Sequence, residues 1–120
     1  MTLSDATGAS PITVAIQSFE QQLAALQTIL GDGQESAAIA TAITALQTTF
    51  RQLLLPLAPQ HPDQTPVFTE MNRHLRLLAV DATFLRTARQ AATQQQRQAQ
   101  IDNRLQQLAG FAEVLKTSLC

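Results

Sequence analysis

Apolar residues recur along this chain at alternating steps of four and three, in four separate runs. Ile12, Ile16, Phe19, Leu23, Leu26 and Leu30 make the first; Ile39, Ile43, Leu46, Phe50, Leu53 and Leu57 make the second. Phe68, Met71, Leu75, Leu78, Ala82 and Leu85 make the third, and Ile101, Leu105, Leu108, Ala112, Leu115 and Leu119 the fourth. This spacing lines one face of a helix with apolar side chains while Gln, Thr and Ala fall elsewhere. The boundaries are written beside the runs. Ser10-Pro11 reads as an N-cap followed by proline at the first helical position, where its missing N–H costs nothing. Gly31 reads as the residue that stops the first helix, and Asp32 with Glu35 as a capping-box variant opening the second. Pro56 disfavours helix in the residue before it, so the second helix should fray near Leu54-Leu55. Thr65-Pro66 repeats the opening signal, and Gln90–Thr93 reads as a bend, with Thr93 and Gln96 as a second capping box. Helices are expected at about 11–30, 34–55, 66–89 and 94–118.

Short links between the first and second helices, and between the third and fourth, make each pair antiparallel neighbours. The expected fold is all-α: a single four-helix bundle, mostly up-down-up-down, over residues 11–120. Residues 1–10 are small and polar, and a disordered tail is expected there. The one long connection, 55–66, carries Pro56, Pro59, Pro62 and Pro66 and forms a semi-rigid spacer. Its length fits either a simple turn or a crossing over the end of the bundle.

Charge changes the picture more than composition does. The net charge of −1 gives no general pull toward nucleic acid or an anionic membrane, and there is no Trp or Tyr for base stacking. Residues 1–65 carry five acids and one base, residues 66–120 four acids and seven bases, so the halves stand at −4 and +3. Cys120 is the only cysteine, which excludes a disulfide within the chain and points to a reducing compartment. No apolar run approaches the ~20 residues of a membrane span, and the opening residues lack the basic start and apolar run of an export signal. A cytoplasmic protein is expected.

Six of the eight basic residues fall between Arg73 and Leu105. Within that stretch Asp81 is the odd residue, an acid inside Leu-Leu-Ala-Val-Asp-Ala-Thr-Phe-Leu, and an isolated buried carboxylate is costly. A fold-back at residues 91–92 sets Asp81 opposite roughly residue 102, which makes Arg104 the expected structural partner and Arg97 the second candidate. His74, one heptad earlier, reads as a half-buried histidine bonded to a polar neighbour. Neither His-x-x-x-His nor Cys-x-x-Cys spacing occurs, and there is no Gly-rich phosphate loop or paired carboxylate arrangement. No catalytic residue, metal or cofactor is therefore expected, and the chain does not read as an enzyme.

The third helix carries a second apolar line, Leu77, Val80 and Phe84, with Arg73 on the same line. Arg73 and Arg76, and Arg86 and Arg89, form two pairs spaced i,i+3. They fit either a solvated face or a surface for an acidic protein partner, in which arginine beside an aromatic and aliphatic anchor is a common interface composition. The Leu77–Val80–Phe84 line also fits a homodimer contact.

The run Arg76-Leu77-Leu78, Asp81, Phe84-Leu85, Ala88-Arg89-Gln90, Ala92-Thr93, Gln95-Gln96-Arg97 resembles PatD, the cyanobacterial heterocyst frequency control family. The resemblance covers Arg73 to Leu105, and the rest of the chain is similar only in length and helical character. It implies a small non-enzymatic regulator that binds the tubulin-like division protein FtsZ, at the division site, and promotes its assembly. In filamentous members this tunes how often cells become heterocysts; in a unicellular source cell division would be the context. An adaptor or self-assembling bundle with a different acidic partner is the alternative.

Overall fold

The computed structural model describes residues 10–33 and 35–119. The expected disorder of residues 1–9, the expected helix start at residue 34 and the Cys120 thiol lie outside the described residues. Four α-helices form: α1 (Pro11–Gly31), α2 (Ser36–Thr49), α3 (Thr65–Thr87) and α4 (Ala91–Leu119). Each packs on its neighbour in sequence, and α4 closes the ring against α1. The connection between α2 and α3 therefore joins adjacent helices, the simple turn of the two paths. The architecture is the up-down-up-down bundle.

The apolar stripes meet in one core. All of the first and third runs are buried, and so is the fourth as far as Leu115. Phe19 of α1 meets Phe50 edge to face, with ring centroids 6.3 Å apart. Each fully buried aliphatic or aromatic side chain contributes about 1.5–3 kcal/mol, which is where the stability of such a bundle arises. Ser10 caps α1 as expected, its Oγ accepting from the Thr13 N–H at 3.2 Å.

Helix ends differ from expectation in five places. Gly31 is the last residue of α1, with Asp32 as C-cap, and Gly33 takes the left-handed turn at φ 70°. A residue with a Cβ is strained in that conformation, so the second glycine, not the first, redirects the chain. Glu35 is the N-cap of α2 and makes no side-chain capping bond, so the Asp32–Glu35 box does not form. Gln64, not Thr65, holds the N-cap position of α3, with no side-chain capping bond, because a short 3₁₀ turn, Pro62–Gln64, feeds straight into it. The Thr65 hydroxyl donates back to the Pro62 carbonyl at 2.9 Å. α3 ends at Thr87, where Ala88 turns extended. α4 starts at Ala91, three residues before the expected start, and Thr93 lies inside it. Ala91 and Ala92 have high helix propensity and nothing interrupts them.

The largest departure lies at the end of α2. The regular helix stops at Thr49 and continues as a π turn over Phe50–Leu54, in which the Leu55 N–H reaches the Phe50 carbonyl. A 3₁₀ segment, Leu55–Gln60, follows. Pro56 has no N–H to give an α-helix and its ring would press on the carbonyl four residues back, so the widened turn relieves both. Widening shifts the phase of the stripe. Phe50 and Leu54 are fully buried, whereas Leu53, expected in the core, is 42% exposed and Leu57 only half-buried.

Candidate interaction surface on the third and fourth helices

Asp81 lies in the seam between α3 and α4 and is 3% exposed. Arg104 of α4 donates its Nε–H to Asp81 Oδ2. Arg97, about two turns earlier on α4, holds its Nη1 4.0 Å from Asp81 Oδ1. The Arg104 side chain is 16% exposed and the Arg97 side chain 37%. Arg104 therefore answers the buried carboxylate, and Arg97 is the outer, wetter cation of the group. The Arg97 guanidinium also sits over the Phe84 ring, 4.4 Å from its centroid. A partly hydrated contact of this kind is worth about 0.5–1 kcal/mol.

His74 is buried rather than half-buried, at 3% exposure, and its Nδ1 has no hydrogen-bond partner. Its ring packs against Phe111 of α4 at 5.6 Å between centroids. Burial holds its pKa below the ordinary histidine value, and the positive charges of Arg73 and Arg104 push it further down against a smaller opposing effect of Glu70. The side chain packed on the imidazole is the Phe111 ring, which offers Nδ1 no hydrogen-bond partner.

The seven residues expected to form one partner surface are divided between two sides of α3. Leu77, Val80 and Phe84 run along the side facing α4, with Leu77 half-buried and Val80 and Phe84 exposed. Arg73 is held by Glu70 one turn earlier at 2.9 Å, and its hydrogen bonds lower the Glu70 pKa. Arg76 and Arg86 instead line recesses toward α2. Arg76 shares one with Gln47, Phe50 and Arg51, and Arg86 shares another, of about 410 Å³, with Glu35, Ser36 and Gln98. Arg89 is exposed in the link between α3 and α4. Helical spacing places six of the seven on one element but does not make them one face.

Two contacts were not anticipated. Gln47 Nε2 donates to the Leu75 carbonyl at 2.8 Å, tying α2 to α3. Lys116 reaches Glu20 across α4 and α1 at 3.4 Å. Neither carried a sequence signal, since glutamine is abundant here and single charges find partners only after the helices are placed. Arg97 over Phe84 was closer to legible: the fold-back that sets Asp81 near 102 sets Phe84 near 99.

Away from this seam, an apolar groove of about 520 Å³ lies between the proline-rich connection and α3, lined by Leu55, Pro59, Pro62 and Phe68 among others. Among the described residues no three His, Cys, Asp or Glu side chains gather in a group that could hold a metal ion, and no helix is long and apolar enough to cross a membrane. Compared with known proteins, the chain matches no family model, no curated protein and no solved structure.

Proposed function

We propose that this chain is a non-enzymatic regulator of the PatD type, which binds the tubulin-like division protein FtsZ and promotes its assembly. Its place is then the cytoplasm at the division site, and in a filamentous cyanobacterium it sets how often cells become heterocysts. One observation carries the reading beyond resemblance. The run that resembles the family divides into residues the fold consumes and residues it does not. Leu78, Asp81 and Leu85 are buried in the bundle. Phe84, Arg89, Gln95 and Gln96 are exposed, and Arg97 is only partly covered. Packing accounts for the first group; a partner accounts for the second, because arginine and an aromatic left at the surface are typical anchors of a protein interface.

The test is co-sedimentation of the purified protein with polymerising FtsZ from the same source. The protein is expected in the pellet with polymer at low salt, with more polymer formed, and less of it at high salt as the charges are screened. Absence from the pellet at every salt concentration overturns the reading.

A further inference from the structure

Resting on the reading of the chain as a partner-binding protein, we infer that the partner docks on the α3–α4 seam, on Leu77, Val80, Phe84 and Arg97, and that the docking element is an acidic segment with an apolar anchor. The α2 side of α3, with Arg76 and Arg86, is not the site.

Three features of the seam meet there. Val80 and Phe84 are 48% and 47% exposed, one turn apart on α3, with Leu77 half-buried beneath them. They form a short apolar ridge that the core leaves uncovered. Along its edge two guanidinium groups serve one carboxylate. Arg104 already satisfies Asp81, so the positive charge of Arg97 is only weakly answered at 4.0 Å and stays accessible to solvent. The Phe84 face beneath Arg97 fixes that charge in place, 4.4 Å from the ring centroid. A held guanidinium beside an apolar ridge is complementary to a carboxylate followed by an aliphatic or aromatic side chain.

A second copy of the chain fits less well. A two-fold contact through this ridge repeats the same patch on both sides and brings two Arg97 charges into one interface, while the exposed acid on that line of α3, Glu70, is already engaged by Arg73. The recesses around Arg76 and Arg86 lack the ridge. Arg86 there shares its recess with an acid, Glu35.

The test is a titration of the full, isotope-labelled chain with a synthetic peptide alternating Asp and Glu with Leu and Phe, followed by amide chemical shifts. A peptide with Lys in place of the acids is the control. Shifts are expected at residues 77–84 and 97–101 with the acidic peptide only. Phe84→Ala and Arg97→Gln should each weaken binding about tenfold, while the Arg76→Glu/Arg86→Glu double variant binds as the parent does. Both seam variants keep Arg104 on Asp81, and far-ultraviolet circular dichroism checks that helicity is unchanged.

Shifts centred on residues 76 and 86, equal binding of the Lys peptide, or no shift at millimolar peptide overturn the proposal. A mass that doubles with concentration and reverts in Phe84→Ala does so too, by assigning the ridge to self-association. The same variants in the FtsZ pelleting assay separate the two claims. Peptide binding at the seam without pelleting refutes FtsZ as the partner and leaves the surface standing. Pelleting unaffected by Phe84→Ala and Arg97→Gln refutes the surface and leaves FtsZ.

Discussion

Asp81 and His74 are the two residues on which the α3–α4 seam turns, and they act in opposite senses. Removing the Asp81 charge leaves Arg104, 16% exposed, without its partner. Asp81→Asn is therefore expected to cost about 2–3 kcal/mol in urea unfolding, and Arg97→Gln, which removes only the outer cation, less than about 1 kcal/mol. Replacing both partners, Asp81→Leu with Arg104→Met, should recover most of the loss, because no buried charge is then stranded. Equal losses from Asp81→Asn and Arg97→Gln would show that the two arginines share the carboxylate. His74 is held neutral by burial, its pKa lowered from 6.5. The unfolded chain thus binds the proton more readily than the folded one. The stability tied to this group is complete above pH 6.5 and is lost as the pH falls from there through the folded value. Urea midpoints should drop as the pH falls below 6.5 in the parent and change less in His74→Leu, which also removes the unpartnered Nδ1. The same slope in both proteins would place the titration elsewhere.

At the scale of the element, the π turn decides which leucine of Leu53-Leu54 belongs to the core. Leu54 is fully buried and Leu53 is 42% exposed. Leu54→Ala is expected to cost about 2–5 kcal/mol and Leu53→Ala to fall within about 0.5 kcal/mol of the parent, measured by chemical denaturation. A regular helix through this region predicts the reverse order. The periodicity of the other three stripes was legible because nothing perturbs their backbone, and every one of their first five apolar positions reaches the core. The second stripe was legible only to Phe50. Beyond it, Pro56, six residues on, signals that the helix must end but not whether it narrows, widens or breaks, since each of these relieves the same clash.

For the whole molecule, closure of the ring rests on α4, which packs against both α3 and α1. Its last turns bring Phe111 onto His74, Ala112 and Leu115 into the core, and Lys116 to Glu20. A domain of this size has about 5–15 kcal/mol of net stability, the small difference between conformational entropy and a burial term to which each buried apolar side chain contributes about 1.5–3 kcal/mol. A chain ending at Gly110 is expected to lose its cooperative thermal transition by circular dichroism. Retention of a sharp transition would mean that α1, α2 and α3 form a stable unit without the end of α4.

Local patterning by itself determined the four helices, their antiparallel order and the buried Asp81 with its two candidate arginines, because each depends on spacing within an element or on counting back from a short link. Tertiary structure alone decided which neighbouring helix each arginine of α3 faces and that His74 is left without a partner at Nδ1. Those outcomes depend on the rotation of one helix against another. That rotation is set by how all four stripes pack at once, and no single stripe encodes it.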